Sequence, residues 1–110
     1  MSAQPIEHPC VDLRDGLMAA LSVAEHIAAS APVLPASVDA RTYSDPVSRT
    51  YGLSVHLRSE QEVRDFAAWV GAEITTEPRD DGRWKSEVTF EVSGVPVQAW
   101  ALHTLKAVSA

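Results

Sequence analysis

His56, Glu87, Glu91 and Trp100 are the residues of this chain whose types could do chemistry together. Histidine and carboxylates are common ligands for divalent ions and common proton carriers. Three such groups converging from adjacent strands would make a metal or acid/base site. A solvated polar face that happens to carry a histidine is the simpler reading, because no spacing motif accompanies these residues. His8, His26, His56 and His103 share no His-x-x-x-His pairing, and Cys10 is the only cysteine. A cysteine-rich metal site and an internal disulfide are therefore excluded. A reactive thiol at Cys10 would need a neighbouring base, and none is identifiable. No nucleophile elbow and no glycine-rich phosphate loop occurs either.

Whether the four residues share a face depends on strand register, and two turns set it. Asp80-Asp81-Gly82 fits a three-residue hairpin loop with glycine in the left-handed position, and Ser93-Gly94 fits a two-residue loop. The second turn pairs Val92 with Val95, Phe90 with Val97, Val88 with Ala99 and Ser86 with Ala101. Paired residues share a face, so Val88, Phe90, Val92, Val95, Val97 and Ala99 form an apolar side that must be covered. The first turn pairs Arg79 with Arg83 and sets Ile74 opposite Val88. A two-residue turn at Asp81-Gly82 would instead send Ile74 to solvent, because a slip of one position flips every side chain.

The other face then carries three rows: Glu73, Thr89 and Gln98; Thr75, Glu87 and Trp100; Glu77, Lys85 and Leu102. Glu77 opposite Lys85 is a favourable cross-strand pair. Trp100 stands out as a tryptophan among charged and polar neighbours, and aromatics on an uncovered sheet face mark binding surfaces.

The elements that hold this meander follow from periodicity and punctuation. The spacing of Leu13, Leu17, Leu21, Ala24 and Ala28, widened by Ala20 and Ile27, predicts a helix from about Leu13 to Ser30 that Asp12 would cap. Ala31-Pro32 ends it. Pro35 to Tyr43 reads as a charged edge strand and Ser44-Asp45-Pro46 as a turn. Tyr51 to Arg58 alternates cleanly, with Leu53, Val55 and Leu57 on one side and Ser54, His56 and Arg58 on the other. Ser59-Glu60-Gln61-Glu62 is a capping box opening a second helix, whose stripe is Val63, Phe66, Ala67 and Val70 and whose stop is Gly71. Trp69 and Trp84 read as boundary packing, and His103, opposite Trp84, as a cap on the sheet edge.

The order αββαβββ predicts an α+β two-layer sandwich. Its mixed five-stranded sheet has spatial order first, second, fifth, fourth, third, and both helices lie on one face. A lead over residues 1–10 precedes a single domain over 11–103, and residues 104–110 form a tail. The 110 residues suit one such domain, with apolar content of 45% and charged content of 22%. Fifteen Asp and Glu against nine Lys and Arg give a net charge of −6, which opposes binding to nucleic-acid phosphates. No secretory pattern opens the chain and no apolar run approaches the ~20 residues of a membrane span, so a cytoplasmic protein is expected.

The β-α-β-β-β segment from Tyr51 to Leu102 resembles one module of the vicinal-oxygen-chelate (glyoxalase-like) fold. Members of that superfamily pair two modules and hold a metal with His and Glu on the concave sheet face. The resemblance implies a ligand at His56, with Glu91 or Gln98 as the later one, in a site completed by dimerisation. The phrases LSVHLRS-EQEVRDFAAWVGAEI and EVSGVPVQAWAL are also similar to short uncharacterised proteins of high-GC actinobacteria and their mobile elements, which implies no activity.

The sequence thus predicts a small non-catalytic accessory protein without a cofactor. It would bind a protein partner, or itself as a homodimer, through an open sheet face bearing Trp100, Glu87, Gln98, His56, Leu102 and Arg58. A glyoxalase-like small-molecule or metal-binding protein, with His56 and Glu91 as ligands, is the alternative.

Overall fold

The computed structural model describes residues 9–42 and 51–104. Seven elements follow in the expected order: α1 (Pro9–Ser30), β1 (Ser37–Thr42), β2 (Tyr51–His56), α2 (Glu60–Val70), β3 (Thr75–Pro78), β4 (Trp84–Val92) and β5 (Val95–His103). The sheet order is β1-β2-β5-β4-β3, with β2 parallel to β5 and every other pairing antiparallel. This is the predicted α+β architecture, in which α2 carries the chain from β2 to the meander β3-β4-β5.

Turn chemistry fixes the register of the meander. Ser93 (φ 51°) and Gly94 (φ 81°) both adopt positive φ, as the two-residue turn that matches strand twist requires. At the other loop, the Arg79 N–H donates to the Arg83 carbonyl at 2.8 Å, and Gly82 sits at φ 88°. Val92↔Val95, Phe90↔Val97, Val88↔Ala99 and Ser86↔Ala101 pair as expected, as do Thr75↔Glu87 and Glu77↔Lys85. The Lys85 ammonium, however, forms its ion pair with Glu87 on its own strand at 3.2 Å rather than with Glu77.

α2 is built as its sequence specifies, with one variation. The Ser59 side chain accepts from the Glu62 N–H at 3.2 Å, but Glu62 reaches back to the N–H of Arg58 (2.8 Å) instead of that of Ser59. Gly71 stops the helix at φ 73°, its N–H donating to the Ala67 carbonyl at 2.8 Å. Val63, Phe66 and Ala67 are buried against β4 and β5.

α1 departs from expectation twice. It begins at Pro9, so Pro9 and Cys10 belong to the helix rather than to a lead, and Asp12 lies within the helix instead of capping it. Proline is favoured at the first helical position because its fixed φ is already helical. The buried residues are Ala20, Val23 and Ile27, whereas Leu21, expected inside, is 47% exposed and Ala28 is exposed. α1 is apolar around much of its circumference, so periodicity alone did not single out one face. The small Ala20 and the β-branched Val23 and Ile27 let the helix lie close on β2.

One face of the sheet is covered by both helices. Leu53, Val55, Leu57, Val88, Val97, Ala99 and Ala101 are sealed there with Phe66, and Phe90, Val92, Ile74 and Val38 are partly buried at its margin. The lead (residues 1–8), the Ser44-Asp45-Pro46 turn and the tail beyond Thr104 lie outside the described residues.

Candidate functional site

Among the described residues no helix covers the opposite face, and its centre is Trp100. Parallel pairing sets His56 of β2 directly beside Trp100, and antiparallel pairing sets Glu87 of β4 beside it on the other flank. The His56 imidazole stacks on the indole with ring centroids 4.5 Å apart and planes 21° from parallel. Lys85 Nζ lies 5.5 Å from the centre of the indole and is held by Glu87 at 3.2 Å. The indole Nε1–H donates to Ser54 Oγ at 2.8 Å, and Ser54 is itself buried at 7% exposure on a face that has no helix.

These contacts change the character of Trp100. The sequence suggested a ring open to solvent; the structure holds it half-buried, with its polar atom satisfied and groups from both neighbouring strands against it. Aromatic stacking contributes ~0.5–1.5 kcal/mol beyond area burial, and an exposed cation–π contact ~0.5–1 kcal/mol. Together with the Ser54 hydrogen bond they pin the side chain in one orientation. A pinned aromatic loses little freedom when something docks on it, which is the property of an interface anchor.

Gln98 and Leu102 flank Trp100 along β5, on the same face and half-buried, as expected. Arg58 does not join them. β2 ends at His56, and the Arg58 guanidinium turns to the Leu34 carbonyl at 2.7 Å and lies 3.9 Å from Glu62. It belongs to the corner between β2 and α2.

Glu91 also lies elsewhere. It pairs with Pro96, four residues along β5 from Trp100, which is ~13 Å of strand at 3.3 Å per residue and leaves β5 between it and β2. His56 and Glu91 therefore do not share a ligand site. Among the described residues, no three His, Cys, Asp or Glu side chains converge in a metal-binding group.

Ser54 and Lys85 are the site residues missed in the sequence. Their signal was available: Ser54 falls on the His56 side of β2's alternation, and Lys85 sits in the row next to Trp100 on β4.

The remaining histidines serve packing. His26 stacks on Trp69 between the helices at 6.4 Å, and Trp69 meets Phe66 edge-on at 5.6 Å. On the covered face, His103 Nδ1 faces the Thr104 carbonyl at 3.0 Å and so carries the proton. In the neutral ring its Nε2 then accepts from the Ser86 hydroxyl at 2.8 Å, and Thr76 lies 2.9 Å from Ser86. Serine, histidine and an orienting carbonyl resemble an activated nucleophile, but Ser86 has 0% exposure and no substrate can reach it. The network satisfies a buried hydroxyl. His8 and the Cys10 side chain lie outside what is described.

A scan against protein-family models, a search of curated proteins and a search of solved structures each return no match. No helix among the described residues is long and apolar enough to cross a membrane.

Proposed function

We propose that this chain is a small cytoplasmic accessory protein, non-catalytic, that captures a protein partner through the helix-free sheet face, with Trp100 as the anchor. The observation that carries this reading is the pinned indole: Ser54, His56 and Lys85 hold a large aromatic on the sheet face that, among the described residues, no helix covers. A tryptophan needed only for stability would gain more by facing the helices, where Phe66 is sealed. Around it, Leu102, Gln98 and Pro96 supply a mixed apolar and polar surface, and Glu87 with Lys85 a charged margin. An aromatic centre with a polar rim is the usual anatomy of a protein contact.

Within one chain His56 and Glu91 stand too far apart to share a ligand, so the glyoxalase-like alternative gains no support from that pair. The partner is accordingly read as a protein surface rather than a metal or a small molecule. The test is affinity capture with wild-type and Trp100→Ala protein as parallel baits, after both show the same circular dichroism and a cooperative melt well above the assay temperature. A protein retained by the wild type and lost with the variant supports the reading. Equal recovery by both baits, or retention of no protein by either, overturns it.

A further inference from the structure

A second surface, away from Trp100, fits another copy of this chain. β1 is an edge strand, and among the described residues only β2 pairs with it. The Leu57 N–H donates to the Trp100 carbonyl at 2.8 Å, so the main-chain groups of the odd-numbered residues of β2 face β5. Those of Gly52, Ser54 and His56 therefore face β1, where they meet Arg41, Asp39 and Ser37. It follows that the N–H and C=O groups of Val38, Ala40 and Thr42 point outward along the free edge.

Charged residues on an edge strand ordinarily discourage pairing. Here their order does the reverse. In an antiparallel pairing of β1 with a second β1 about a dyad at Ala40, Ala40 faces its own copy and Val38 faces Thr42. Each of these is a hydrogen-bonded pair. Asp39 of one chain then falls opposite Arg41 of the other, twice, at the closely spaced non-hydrogen-bonded positions. Within one chain these two side chains make only an exposed contact at 3.7 Å, so both are available.

The helix above this edge supplies the apolar part. His26 stacks on Trp69 and so marks the side of α1 turned toward α2. At ~100° per residue, Leu17, Leu21 and Ala28 fall on the opposite flank, above β1, while Met18 points away from the sheet next to Leu21. Leu21 is 47% and Met18 60% exposed, although both are large and apolar. α1 packs over β2 and β1. A dyad just outside β1 would set the two copies of α1 roughly 10–14 Å apart, within reach of leucine and methionine side chains.

We infer that this protein forms a two-fold dimer by pairing β1 with β1, joining the two five-stranded sheets edge to edge, with the α1 flanks packed across the dyad. Three features of independent origin agree on it: the outward main-chain groups, the self-complementary order Asp39-Ala40-Arg41, and the uncovered flank of α1. The dimer sets two Trp100 faces side by side on one continuous surface, so a repeated partner would be bound with avidity.

Sedimentation equilibrium at about 100 μM tests this, a concentration chosen to populate even a micromolar dimer. The wild type is expected at twice the monomer mass. Asp39→Arg sets like charges opposite one another twice and should weaken association at least about tenfold. Ala40→Pro removes an outward N–H while leaving the bonds to β2, and should give monomers with an unchanged fold. The double variant Asp39→Arg/Arg41→Asp restores opposite charges and should regain the dimer. A monomeric wild type, a dimer indifferent to Asp39→Arg, or a double variant no better than the single one would each overturn the inference.

Discussion

The two faces of the sheet hold their residues by different means. On the covered face Leu53, Val55, Val88, Val97 and Ala99 are sealed beneath the helices, and what matters about each is volume and shape. On the open face Trp100 is held by particular partners: a hydroxyl for its N–H, an imidazole on its ring, an ammonium beside it. A side chain held by volume tolerates isosteric exchange and resists truncation. One held by named contacts depends on chemical identity, and its truncation costs the fold less than emptying a sealed site does.

Substitutions sharpen this contrast in order of size. Phe66→Ala empties the largest sealed site and should destabilise the fold by ~3–5 kcal/mol, read from the denaturation midpoint at unchanged slope. Ser86→Ala, the polar exception on the covered face, should cost ~1–2 kcal/mol by removing the hydroxyl that His103 and Thr76 share. Trp100→Ala should cost no more than about 1–2 kcal/mol despite deleting a larger side chain, because the indole is only half-buried. If Trp100→Ala proves as damaging as Phe66→Ala by the same measurement, the two faces are not different in kind.

The same contrast explains what could be read from sequence. The meander was legible to the register because glycines at 82 and 94 fix both turns and strict alternation fixes the faces. Five strands in the right order followed from one capping box and one crossover. α1 was legible as a helix but not as a face: with leucine, alanine, valine and isoleucine spread around it, the choice of the side that buries Ala20, Val23 and Ile27 is a tertiary property. The composition of the site was half legible. Trp100, Glu87 and His56 came from register alone, whereas the Ser54 hydrogen bond and the departure of Arg58 depend on side-chain torsions and on where β2 ends.

A smaller effect tests the turn that joins the two central strands. Ser93 holds φ 51°, a conformation that costs a residue with a Cβ, and asparagine tolerates it better than serine. Ser93→Asn should raise stability by about 0.5 kcal/mol. The turn belongs to neither face, so the gain should appear in the melting temperature while the proposed partner capture through Trp100 stays unchanged. A loss of stability would mean that the Ser93 side chain has a role that backbone geometry does not reveal.

The smallest effect concerns the other hairpin tip, where charge rather than packing sets the geometry. Asp81 accepts from the Arg83 side chain at 2.7 and 3.1 Å and from its N–H at 3.0 Å, and these bonds lower its pKa from 3.8 to about 2. A carboxyl whose pKa is lower folded than unfolded contributes stability that is complete above the unfolded value and is lost as pH falls through the folded one. The contribution of Asp81 should therefore fade between about pH 4 and pH 2. The tip is exposed, so the effect is weakened by solvent and falls further with added salt. Asp81→Asn lacks the titrating group while all other carboxyls remain. Melting temperatures of the wild type and the variant should accordingly converge as the pH is lowered through this window, and a gap that stays constant would show that the Asp81–Arg83 pair has no bearing on the fold.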